Sequence, residues 1–303
     1  MKSKKTDRRL TRRQFLTRSS QVALGGTLLV HHSRLWAGDS SPDRASTVVL
    51  IRDPGVLDSS GQPVYQVVLS MLDQAVTALT GEKQAVTAWK SLIKADDVVG
   101  IKTNVWRYLD TTRQVEQALR QRVLDCGVSE KEIGIRDRGV LRDPLFQRAT
   151  ALINARPMRT HHWSGVGSLI KNYIMFVPAP YQYHPDSCAD LATIWQKPEV
   201  EGKTRLNVLV MFTPQIHNVG PHGFNPKYLF RYCGLIVGKD PVACDTVGLK
   251  IIEARRRIYF GEDRPLNPPA KHIALADTRH HLGNSDWNRI RLIRLGERRD
   301  SLV

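Results

Sequence analysis

"DVVGIKTN", Asp97–Asn104, is the stretch whose reading decides the fold. Between Asp97 and Lys102 the residues are apolar or glycine, as in a strand buried on both faces. Upstream, "PVYQVVLSMLDQAVTALTG" places Val64, Val67, Val68, Met71, Leu72, Ala75, Val76 and Leu79 at three- and four-residue steps. That spacing predicts an amphipathic helix, stopped by Gly81. A short helix around Ala85–Ile93 leads into the strand. Thr111 or Thr112 can cap a following helix that runs to about Cys126 and ends at Gly127. Helix, strand, helix is the rhythm of an α/β protein.

The same rhythm extends outward. "TVVLI" (Thr47–Ile51), "EIGIRD" (Glu132–Asp137), "RLNVLVMF" (Arg205–Phe212), "YCGLIVG" (Tyr232–Gly238) and "RIRLIRL" (Arg289–Leu295) read as strands. "KDPVACDTVGLKIIEARRR" opens a helix, with Asp240 as cap and Pro241 in its first position. A last helix is expected near Pro269–His281. "SLIKNYIMFVP" is an apolar run broken by Lys171-Asn172. The expected fold is α/β, a mainly parallel sheet flanked by helices, with room for two sub-lobes.

The N-terminus reads differently. "RRQFL", Arg12–Leu16, stands before a weakly apolar run, "VALGGTLLV". That run is shorter than the about 20 residues a membrane span needs. Paired arginines, Phe15-Leu16 after one spacer and a short apolar centre resemble a twin-arginine export signal. On that reading residues 1–37 are the signal, cleaved after Ala37, residues 38–46 a linker, and residues 47–303 the α/β domain. The expected location is periplasmic or otherwise exported. The expected partner is the twin-arginine export machinery, and membrane contact would come only through an uncleaved signal.

The formal net charge of +16 suggests nucleic acid until it is located. Residues 1–37 carry nine Lys/Arg and one acid, so half of the excess belongs to the signal. No nucleic-acid partner is expected. The four cysteines, Cys126, Cys188, Cys233 and Cys244, form no C-x-x-C pair, so there is no ferredoxin-type iron–sulfur motif. Cys126 and Cys244 fall in expected helices, as small buried hydrophobes.

Four clusters could carry chemistry. Lys102 and Asn104 stand at the end of a strand, where α/β sheets bind ligands. "RTHHWSGVGSLIKN" holds Arg159, His161, His162, Lys171 and Asn172, with Gly165 and Gly167 allowing close backbone approach. Lys171 in an apolar run needs either solvent or a partner. The two histidines are adjacent, so their side chains should diverge. "PQIHNVGPHGFNP" brings His217, Asn218 and His222 in a loop whose spacing matches no metal signature. In "KDPVACD" Asp245 is expected to pair with Lys102 or Lys171. A nucleophile elbow, an H-E-x-x-H helix and a P-loop are all missing from the sequence.

"VVGIKTN", "GSLIKN", Gly220-Pro221 and "DPVACD" occur in the order found in the domain of unknown function 362 family, which the chain resembles over roughly residues 47–296. The resemblance implies an α/β domain, joined in some members to ferredoxin modules, with no general reaction. Its matching polar positions are Lys102, Asn104, His161, Lys171, Asn172, Asp240 and Asp245. Two departures stand out. Arg159-Thr160-His161 replaces a frequent Lys-x-His, and Phe212-Thr213 occupies a stretch where an acid is common.

Three functional readings follow. The first is a small anionic ligand held by Lys102, Asn104, Lys171, Asn172 and Asp245, with His161 as proton-transfer residue. The second is a metal- or cofactor-dependent redox protein, its candidate ligands His161, His217 and His222; no particular cofactor is indicated. The third is a non-enzymatic accessory protein of an envelope complex.

Overall fold

The computed structural model describes residues 45–218 and 223–303. Arg12, Arg13, Phe15 and Leu16, expected to belong to an export signal, the Gly220-Pro221 loop and His222 lie outside them.

Among the described residues eight strands make one sheet: β1 (Ser46–Arg52), β2 (Val99–Lys102), β3 (Ile133–Arg136), β4 (Ala151–His161), β5 (Gly165–Gly167), β6 (Thr204–Gln215), β7 (Gly234–Gly238) and β8 (Ile290–Gly296). Their order is β3-β2-β4-β6-β7-β1-β8, with β5 paired to β4. β2 is parallel to β3 and β4, β4 to β6, and β1 to β8. β7 runs against both β6 and β1. The C-terminal ends of β2, β3, β4 and β6 therefore share one edge of the sheet.

Alternation along each strand feeds two cores. In β1, Val49 and Ile51 enter one core, Val48 and Leu50 the other. The first is closed by α1 (Tyr65–Thr80), α2 (Ala85–Lys90) and α3 (Arg113–Asp125). α1 buries Val68, Met71, Leu72, Ala75 and Val76, one helical stripe, and ends at Gly81 with φ +78. Asp73 ties the three helices together. It accepts from the indole N–H of wholly buried Trp89 at 3.0 Å and from Arg122 at 2.7 and 2.6 Å.

The second core is closed by α4 (Pro144–Gln147), α5 (Leu169–Asn172), α6 (Pro241–Phe260) and α7 (Lys271–Thr278). Asp240 caps α6 by accepting from Val242 N and Ala243 N. It also takes hydrogen bonds from Ser46 Oγ and Asn284 N, so one carboxylate joins a helix start to β1 and the C-terminal segment. No helix among the described residues is long and apolar enough to cross a membrane.

Several expectations shift. The helix expected over Ala85–Ile93 stops at Lys90, and the last helix is the shorter Lys271–Thr278. Thr112 precedes α3 without a side-chain capping bond. The "SLIKNYIMF" run, given no element from sequence, folds as α5 followed by a 3-10 turn. The eleven-residue β4, "ALINARPMRTH", has no counterpart among the expected strands, because Asn154, Arg156, Pro157 and Arg159 interrupt its apolar pattern.

Candidate functional site

At the end of β2, Lys102 is fully buried. Its Nζ donates to Asp137 Oδ1 and to Thr103 O, both at 2.7 Å. Asp137 follows β3, which the β2–β3 pairing places beside it. Burial pushes the Lys102 amine down to about 8, against the opposing pull of Asp137. Burial also raises the Asp137 carboxyl, but the Lys102 charge and hydrogen bond outweigh it and leave the group below its ordinary value. Lys102 is thus held as one half of an ion pair.

Three asparagines extend from this pair across the sheet. Asn172 Nδ2 donates to Lys102 O (3.2 Å) and Asn154 Oδ1 (2.8 Å). Asn154 Nδ2 donates to Leu169 O and Asn207 Oδ1, both at 3.1 Å, and Asn207 donates to Lys239 O at 3.0 Å. Asn154 and Asn207 are in register on β4 and β6. Nearly every amide group in this row has a partner, as burial demands. The row fixes α5 against the sheet.

β4 supplies two arginines. Arg156, 3% exposed, donates to Pro157 O (3.1 Å) and Ser168 O (3.2 Å). Burial lowers its guanidinium to about 10. A register shift between Pro157 and Arg159 re-aims the strand. Arg159, 4% exposed, then bonds Asn104 Oδ1 (3.2 Å) and Leu109 O (3.4 Å) and lies 4.1 Å over the Trp106 ring. Its buried Nε has no partner. Burial, then the charge of Arg156, drives Arg159 well below the usual arginine range.

Lys171 on α5 is 5% exposed. Among the described residues its ammonium has one polar partner, Cys188 Sγ at 3.4 Å. Burial lowers its pKa, and Arg156 and Arg159 lower it further. The expected pairing of Asp245 with Lys102 or Lys171 is not formed. The carboxylate of Asp245, on α6, accepts from Ser168 Oγ (2.6 Å), Leu169 N (2.9 Å) and Ile170 N (2.9 Å), and so holds the free amides at the start of α5. Burial raises it to about 6. Ser168 Oγ also lies 3.4 Å from Nε2 of buried His272.

His161 and His162 do not diverge. Their rings stack at 4.8 Å because β4 ends there and turns into β5. His161 Nδ1 accepts the Trp163 N–H at 3.2 Å, which puts the ring proton on Nε2. Burial, then Lys171 and Arg159, push His161 far below its ordinary pKa, so the ring is neutral. Gly167 lies against this corner. A Cβ there would sit 2.7 Å from the Arg156 guanidinium.

Four buried cations, Lys102, Arg156, Arg159 and Lys171, thus share their surroundings with two carboxylates, Asp137 and Asp245. One carboxylate is spent on Lys102 and the other is committed to backbone amides. Nearby, a cleft of about 180 Å³ is lined by Tyr108, Leu109, Thr112, Pro157, Phe212 and Thr213.

Residues 130–250 match the family model of a domain of unknown function, DUF362. The match supports membership of that family. No curated protein and no solved structure matches the chain. The DUF362 match contains Asp137, both arginines, His161, Lys171, Asn172, Asp240 and Asp245, while Lys102 and Asn104 precede it.

The remaining expected site residues separate. Asn104 joins the cluster through Arg159. His217 does not. It packs between Tyr228 and Phe260, with Nδ1 3.4 Å from Arg256. His161 and His217 therefore belong to different surroundings, and among the described residues no three His, Cys, Asp or Glu converge as metal ligands. Sequence reading missed Asp137, Arg156, Asn154, Asn207 and His272 as site residues. Asp137, directly after the "EIGIR" strand, carried the same strand-end signal as Lys102. Arg156 lay in a strand that was not foreseen.

Proposed function

We propose that this chain is an exported protein of the DUF362 family and that it binds a small, multiply charged oxyanion of the phosphate kind among Arg156, Arg159, Lys171 and His161. The observation that carries the reading is the excess of buried cations. Lys171 and Arg159 have no carboxylate, and leaving charges buried without counter-charge is costly. A dianion would supply the missing charge and accept from Arg159 Nε, now unpartnered. Two guanidiniums and an ammonium suit an ion with several oxygens better than a single carboxylate.

Lys102, Asn172 and Asp245 take a supporting part in this reading. Lys102 is held by Asp137, Asn172 by the asparagine row, and Asp245 by α5. His161 changes role as well. A neutral ring with its proton on Nε2 is a hydrogen-bond donor to an anion rather than a base.

Calorimetric titration with inorganic phosphate at fixed ionic strength tests the reading. The wild type should take up phosphate, and Arg159→Gln should weaken it at least about tenfold. No uptake by the wild type, or equal affinity in the variant, would reject it. Export rests on "RRQFL". Arg12→Lys/Arg13→Lys should leave the protein in the cytoplasm on fractionation, because the guanidinium pair is what is read. Undiminished export of the double variant would refute that part alone.

A further inference from the structure

The contact between Lys171 and Cys188 is chemically unlike the rest of the site. Nζ lies 3.4 Å from Sγ, both side chains are buried, and among the described residues the ammonium has no other polar partner. Cys188 is presented by three consecutive residues with positive φ, Asp186 (52°), Ser187 (56°) and Cys188 (63°). Such a run is unfavourable for residues other than glycine and persists only where the surroundings hold it. Two sets of contacts hold it here. Lys271 pairs with Asp186, and Arg279 and His280 both reach Asp190. No other cysteine among the described residues has a lysine amine as hydrogen-bond partner.

We infer that Lys171 and Cys188 are the two ends of an oxidative cross-link in which a single oxygen atom bridges Nζ and Sγ. At 3.4 Å the two atoms are in direct contact, and the lysine end closes the remaining distance as one oxygen bridges them. Burial favours the uncharged form of both partners, lowering the lysine and raising the thiol, so the Lys171 ammonium gives up a proton more readily than an exposed lysine to supply the reacting amine. The oxidant is dioxygen. The neutral amine loses one N–H and the thiol its S–H, and N–O and O–S bonds form to one oxygen atom. The other oxygen leaves as water, carrying two hydrogens. Nitrogen and sulfur each give up two electrons, which together reduce dioxygen. The sulfur stands one step beyond a free thiol on the oxidation ladder and the nitrogen at the hydroxylamine level; a thiol reductant reverses the link when four thiols, oxidised to two disulfides, return the four electrons and the bridging oxygen leaves as water.

The cross-link also deletes one of the buried positive charges. If the oxyanion reading holds, the bridged protein binds phosphate more weakly than the reduced one. The cross-link itself does not depend on that reading.

Intact-protein and peptide mass spectrometry of the full chain, purified without reductant and exposed to air, tests this directly. The expected species has gained one oxygen and lost two hydrogens. Digestion should yield the Lys171 and Cys188 peptides joined, and reductant should release them. Cys188→Ser and Lys171→Met should each abolish the species. The wild-type measurement stands by itself if a variant fails to fold. A free Cys188 thiol after exposure, or only sulfenic and sulfinic forms on an unlinked Cys188 peptide, would overturn the inference. A wild type that forms the link but, once reduced, binds no phosphate would uphold it and reject the oxyanion site instead.

Discussion

His272 and Asp245 approach the same hydroxyl, Ser168 Oγ, and titrate in opposite senses. Burial first, then the charges of Lys171 and Arg156, lower the His272 imidazole from 6.5 to about 3. In the unfolded chain it takes up a proton near 6.5, while in the fold it stays neutral. Its contribution is complete above 6.5 and is lost as pH falls toward 3. Asp245 is raised from 3.8 to about 6, mainly by burial. Its contribution is complete below 3.8 and is lost as pH rises through 6. The histidine shift is the larger, and His161, also kept neutral by burial, acts in the same sense, so acid should destabilise the protein. The melting temperature is expected to fall between pH 6.5 and 4, and to fall less in His272→Gln. A wild type that melts at the same or a higher temperature at pH 4 would contradict this assignment. Single residues were legible when their type broke a local rule. Lys171 stood out because a charge interrupted "SLI" and "YIMF". Asp245 stood out too, but its partner did not, because backbone amides leave no trace in a sequence.

Elements were read well where hydrophobic period and end signals agreed. α6 is the example, opened by Asp240-Pro241 with the capping bonds its sequence suggests. β4 shows the opposite case. It lies in the centre of the sheet, yet alternation could not reveal it, since polar residues occupy positions a core strand gives to Val or Ile. Those residues are the ones that build the site, so local pattern fails where chemistry is placed. β5 serves the same purpose with three residues. Gly167→Ala would drive its new methyl against Arg156, whose mobile end can yield, at the expense of its bond to Ser168 O. The expected result is a modest stability loss, on the order of 1 kcal/mol in denaturant melts, with a clear loss of phosphate affinity. Unchanged affinity would mean that Arg156 takes no part in binding.

At the scale of the molecule, the sheet gathers the ends of β2, β3 and β4 at one edge and so joins residues from Lys102 to Lys171. The α/β class and every strand but β4 and β5 among the described residues were legible from alternating helix and strand patterns. Strand order was not, because pairing across the sheet depends on contacts far apart in the chain. The net charge of +16 pointed to an anion only loosely, as half of the excess lies in residues 1–37. What matters is the small share of that charge buried without counter-ions. An anion that binds only the folded state raises its stability in proportion to the logarithm of its concentration. The most direct measurement is therefore the melting temperature of the wild type across a phosphate series, with chloride holding ionic strength constant. The account expects a phosphate-dependent rise that follows this relation. It expects none in Lys171→Met, which should already be as stable as the wild type or more so, having lost an uncompensated buried charge. A wild-type melting temperature indifferent to phosphate, or an equal rise in Lys171→Met, would contradict the account.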